Sequence, residues 1–176
     1  MNLPNKLSLL RMAMIPVVVA LMIPCNAVCT RIAAVVFAIA AFTDFLDGYI
    51  ARRDNIVTDF GKFIDPVADK LLNLSALVML SHQGLLPAWV VVIILARELC
   101  VDGLRMVAVG QGRVIAAGKL GKIKTVSQIA LVLWLMLSVL PATNPVSFVL
   151  ISWVAVITLW SGVDYLIRNR DCIKNA

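Results

Sequence analysis

The sequence predicts an all-α protein, a bundle of six transmembrane helices, and three observations carry that prediction. Of 176 residues, 61% are hydrophobic and only 15% charged, with a mean hydropathy of +0.95. Soluble domains are roughly 45–50% apolar and about 25% charged. A chain this short cannot bury the excess in one core, so much of it must face lipid. Second, six apolar stretches approach the ~20 residues that cross a bilayer. Third, basic residues gather at alternate breaks between those stretches.

The stretches run Leu7–Cys25, Ile32–Ala51, Phe63–Ser81, Leu86–Val109, Ile123–Leu140 and Val146–Ile167. Turn chemistry separates them: "PCNAVCT", "GKF", "SHQGLLP", "GQGR…GKLGK" and "PATNP". Lys6 and Arg11 before an apolar core fit a signal peptide, but Pro24 and Cys25 make a poor cleavage site. With no internal repeat, residues 1–176 read as a single transmembrane domain.

The connections near residues 26–30, 82–88 and 141–146 contain no Lys or Arg, and Arg31 lies at the edge of the first. By the positive-inside rule, the opposite ends and both termini are cytoplasmic. The formal charge of +6 is therefore a topology signal, not a nucleic-acid footprint. Cys25, Cys29, Cys100 and Cys172 read as small apolar filler, since no second Cys or His pair accompanies them and His82 is alone.

All ten acids fall toward the cytoplasmic side, and four lie within or next to apolar helical pattern. At about 100° per residue, Asp44, Asp47, Gly48 and Ala51 share one face of the second helix, and Gly61, Asp65 and Asp69 form a stripe on the third. The short connection makes these two helices antiparallel neighbours. Four gathered carboxylates repel; two divalent cations balance them, and all-oxygen ligation suits Mg²⁺ or Mn²⁺. Blander readings exist: Asp65 before Pro66 fits a helix N-cap, and Asp44 and Asp47 could pair with Arg97, Lys70 or Arg105. Gly48, Ala51 and Gly61 suit either close ligand approach or tight helix packing.

Asp44-x2-Asp47-Gly48-x2-Ala51-Arg52-x8-Gly61-x3-Asp65-x3-Asp69 resembles the signature of the CDP-alcohol phosphotransferase family, position for position. "LPNKLSLLR…IP", "ARELCVDGLRMVA", "GKLGKIKTVSQ" and "SGVDYL" resemble its bacterial branch that makes phosphatidylglycerophosphate. The resemblance spans essentially the whole chain, with Ser8 where Thr is common and Asp102 inside the Arg-rich stretch. It implies a six-helix homodimer in the bacterial cytoplasmic membrane, its site opening to the cytoplasm. It also implies transfer of the phosphatidyl group of CDP-diacylglycerol to sn-glycerol 3-phosphate, with release of CMP.

By the same resemblance, Asp44, Asp47, Asp65 and Asp69 hold two metals, and Asp69 is the general base. Asp47, Gly48, Ala51, Arg52 and Gly61 cradle the CDP moiety. The acceptor is a dianion, and Arg97, Arg105, Lys122 and Lys124 near the cytoplasmic ends of the fourth and fifth stretches are candidates to hold its phosphate. Arg11 either snorkels to the interface or touches substrate phosphate, and Asn5 reads as a helix-start residue. Other readings are transfer to another alcohol, such as inositol phosphate or phosphatidylglycerol, a cation transporter, or a structural membrane protein.

Overall fold

The computed structural model describes the backbone of residues 3–53, 59–112, 115 and 118–170, and the side chains of residues 8–43, 67–112, 115 and 118–170. Six helices and no strand occur among the described residues: α1 Leu3–Met22, α2 Ala27–Arg53, α3 Asp59–His82, α4 Ala88–Gly110, α5 Lys119–Ser138 and α6 Pro145–Arg168. Each predicted apolar stretch is one helix, and most helices run past the apolar limits. Hydropathy marks only the greasy middle of a helix, while backbone hydrogen bonding continues into the charged ends. α3 starts at Asp59 and passes through Pro66, so Asp65 lies inside the helix and is not its N-cap.

On length and composition, only α5 and α6 among the described residues are apolar enough throughout to count as membrane spans. α4 carries Arg97, Glu98, Asp102 and Arg105 within its length. The six predicted spans are therefore six helices, with composition alone vouching for two.

The chain forms two compact units, Met1–Leu85 with Val132–Leu140, and Leu86–Leu131 with Pro141–Ala176. In the first, α1 packs against both α2 and α3, which also touch each other. Ala33, Ala34, Ala40, Ala68 and Ala76 are fully buried there; such small residues let helix backbones approach closely. One end of this unit is tied by Gln83, whose Nε2 donates to Met22 O (2.7 Å) and meets Thr30 Oγ1 (3.1 Å). α3 stops beside it in a Schellman turn: Gly84 N donates to Ser81 O and Leu85 N to Leu80 O, with Gly84 at φ +73°. Asn26 Oδ1 caps α2 by accepting from Val28 N (2.8 Å). Arg31 Nε donates to Leu137 O (3.1 Å) in the last turn of α5, where a cation suits the helix dipole.

Cys25 sits in the turn before α2 at φ +52°, so it and Cys29 do not share a helix face. Cys25 and Cys100 are exposed and Cys29 is half-buried, all three as free thiols.

In the second unit α4 packs on α6, with Val101, Leu104, Ala108 and Tyr165 forming a buried cluster that Ile115 joins. Asn144 caps α6 by accepting from Val146 N, with Pro145 at the first turn. Trp153 Nε1 donates to Ser127 Oγ (3.2 Å), linking α6 to α5.

Large apolar side chains also line outward faces. Val28, Ile32, Val35, Ile39 and Phe42 on α2 are each 48–61% exposed. Val149, Trp153, Val156, Trp160, Val163 and Ile167 make a similar stripe on α6. Spacings of three and four place each set on one helix face.

Candidate active site

The first unit carries the acids. Asp44 and Asp47 lie in α2, as do Gly48, Ala51 and Arg52; Gly61 and Asp65 lie in α3. The side chains of these seven are outside the described residues, and only their helical backbone enters the geometry. Thr30 and Gln83 fix the register of the two helices. Asp44 is fourteen residues from Thr30 along α2, and Asp69 is fourteen from Gln83 back along α3. At 1.5 Å per residue both positions stand about 21 Å from that tie. Asp47 and Asp65 lie one turn further, at seventeen and eighteen residues. Counted along straight helices from that tie, the four acid positions fall at similar distances.

Asp69 is half-buried. Asn73, one turn on, donates from Nδ2 to Asp69 Oδ1 and to Asp69 O, both at 3.1 Å. Asn73 is 6% exposed and continues the Gly61–Asp65–Asp69 stripe by another four residues. That spacing was the available signal for it, and a search restricted to charged residues misses it. Among the described residues no group of three or more His, Cys, Asp or Glu side chains could hold a metal; only Asp69 of the four predicted ligands has a described side chain. As a donor set, four carboxylates fit hard divalent cations in chemistry and in charge.

Arg11 is fully buried in α1, beside a fully buried Ser8 one turn earlier. It therefore does not snorkel to the interface.

The second unit carries the cations. Arg97 Nη1 donates to Glu98 Oε1 at 3.1 Å, and Lys124 Nζ binds the same oxygen. The side chains are 12%, 14% and 4% exposed, so the group is largely withdrawn from solvent. Two glycines confine Arg97. A Cβ on Gly162 would come within 3.1 Å of Arg97 Cγ, and one on Gly121 within 3.5 Å of Arg97 Nη2. Glu98, Gly121 and Gly162 escaped sequence reasoning because nothing in their spacing marks them.

The other two predicted cations are placed differently. Arg105 Nε donates to Tyr165 Oη (3.2 Å), and its guanidinium carbon stands 5.7 Å from the ring centroid, within cation–π range. It lies two turns, about 12 Å, along α4 from Arg97. Lys122 is exposed, and two residues along a helix from Lys124 it points to a different face. Arg97 and Lys124 are thus brought together; Arg105 and Lys122 do not join their ion-pair group.

Comparison with known proteins identifies the family. Residues 1–161 match the CDP-alcohol phosphatidyltransferase family. The chain is 45% identical to the CDP-diacylglycerol–glycerol-3-phosphate 3-phosphatidyltransferase of Bacillus subtilis, over 99% of this chain and 98% of the relative. It is 41% identical to a probable phosphatidylglycerophosphate synthase of Mycobacterium tuberculosis, over 95% of this chain and 81% of the relative. A Salmonella choleraesuis enzyme named as the Bacillus one is 36% identical, over 96% and 95%. This chain belongs to the CDP-alcohol phosphatidyltransferase family.

Proposed function

We propose that the protein transfers the phosphatidyl group of CDP-diacylglycerol to sn-glycerol 3-phosphate, giving phosphatidylglycerophosphate and CMP. The observation that carries this reading is likeness at 36–45% identity, over nearly the full chain, to relatives named for that reaction. The Arg97–Lys124 pair supports it, because two neighbouring cations suit a dianionic acceptor better than a neutral alcohol.

Asp44, Asp47, Asp65 and Asp69 would hold two divalent cations, Mg²⁺ or Mn²⁺. When bound, such ions neutralise diphosphate charge and ease departure of CMP. The protein's own residues position the reactants. Asp47, Gly48, Ala51, Arg52 and Gly61 match the family signature for the CDP moiety. Asp69 accepts the proton of the acceptor hydroxyl, and Asn73 fixes its carboxylate through Oδ1. Arg97 and Lys124 hold the acceptor phosphate; Arg105 and Lys122 add positive potential that draws a dianion in.

All six helices cross the bacterial cytoplasmic membrane as one functional domain, with acids, cations and both termini on the cytoplasmic side. The exposed apolar stripes of α2 and α6 support this, since contiguous apolar faces of that size belong against lipid. The working form is a homodimer.

The test is CMP release from CDP-diacylglycerol by the purified protein in detergent micelles, with Mg²⁺ or Mn²⁺ and a series of acceptors. Release that depends on glycerol 3-phosphate is expected. Release with inositol phosphate or phosphatidylglycerol, and none with glycerol 3-phosphate, would overturn the choice of acceptor.

A further inference from the structure

We infer that Glu98 is a positioning residue: it grips Arg97 by Nη1 so that the Nε–Nη2 edge of the guanidinium forms the seat for the acceptor's phosphate. The inference rests on, and deepens, the reading of glycerol 3-phosphate as acceptor.

A guanidinium offers a two-donor fork along its Nε–Nη2 edge and separate donors at Nη1. Glu98 Oε1 takes Nη1, the nitrogen that is not part of that edge. Arg97 Nε is buried and has no hydrogen-bond partner among the described residues. A buried donor without an acceptor costs stability until one arrives, and phosphate oxygens match the fork in spacing and charge. Nη2 lies beside Gly121, where a missing side chain leaves room next to the fork, and Gly162 confines the stem at Cγ. The arginine is thus held from two sides with one edge unsatisfied.

Glu98 also solves a charge problem. Arg97 and Lys124 come from different helices and are both largely withdrawn from water. Without a shared anion they would repel. One carboxylate oxygen bound to both keeps the pair assembled.

The experiment measures KM for glycerol 3-phosphate and for CDP-diacylglycerol, and the Ki of inorganic phosphate against the acceptor. It uses the full-length wild type, Glu98→Gln and Glu98→Asp in detergent. Glu98→Gln should raise KM for glycerol 3-phosphate and Ki for phosphate together, each at least tenfold, with KM for CDP-diacylglycerol within twofold. Glu98→Asp, which restores the charge, should return both to within about threefold of wild type. A Glu98→Gln protein whose two KM values rise together, or whose acceptor KM is unchanged, would overturn the positioning role. If Glu98→Gln does not fold, Gly121→Val serves in its place. Its side chain fills the space at Nη2 and should raise acceptor KM at least fivefold without touching KM for CDP-diacylglycerol; an unchanged acceptor KM there also overturns the inference. A wild type that releases no CMP with glycerol 3-phosphate would instead overturn the functional reading itself.

Discussion

The acidic ends of α2 and α3 and the basic seam among α4, α5 and α6 solve opposite electrostatic problems by different means. The acids occupy a fixed helical spacing within two adjacent helices, and in the proposed function their mutual repulsion would be relieved by cations from outside the chain. The cations come from α4 and α5 and are joined by an internal anion, Glu98. A site that waits for metal can be written as a motif of evenly spaced ligands. A site that carries its own counter-ion depends on which side chains meet after folding. The difference teaches that evenly spaced acids on a helix are open to spacing arguments, and an ion-pair group assembled from separate helices is not.

Removing a charge from the acidic half should have the largest effect. Asp69→Asn is expected to lower kcat for CMP release on the order of 10³-fold, since general-base roles contribute about 10² to 10⁴. Circular dichroism should show the helical content retained. Residual activity within tenfold of wild type would place the base elsewhere. Next comes the basic half. Arg97→Lys keeps the charge and loses the fork, and should cut kcat/KM for glycerol 3-phosphate on the order of 10²-fold, with KM for CDP-diacylglycerol unchanged. A smaller effect belongs to the residue that steadies Asp69. Asn73→Ala removes both 3.1 Å hydrogen bonds and should reduce kcat about tenfold while both KM values hold, as loss of an orienting partner does. The smallest concerns Arg105. Tyr165→Phe deletes the hydroxyl acceptor for its Nε and keeps the ring beneath it, so a stability loss of about 1 kcal/mol and unchanged kinetics are expected from thermal unfolding and CMP assays. Comparable losses from Tyr165→Phe and Arg97→Lys would mean that the two arginines act as one group after all.

Much of this was legible in the chain. Hydropathy located all six helices, because burial in lipid or core demands long apolar runs. The helical placement of the four acid positions was legible because each lies within or next to an apolar helical run. Helix ends were not, since Asp59 to Lys62 and Arg52 to Arg53 extend helices beyond their apolar middles. The role of Gln83, the burial of Arg11 and the pairing of Arg97 with Lys124 through Glu98 were not legible either. Each depends on contacts between helices far apart in sequence, where charge alone cannot say which partner is met. Lys122 and Lys124, two steps apart along a helix, point to different faces, which proximity in sequence alone does not show.

The account stands most directly on acids from α2 and α3 sharing the same cations. Mn²⁺ binding to the full-length protein in detergent, followed by electron paramagnetic resonance, tests this without turnover. Two tightly bound ions are expected in the wild type. Asp44→Asn on α2 or Asp69→Asn on α3 should each weaken them, and the double variant should lose little more than either alone. Independent losses that simply add, or Mn²⁺ binding indifferent to both substitutions, would contradict the shared site.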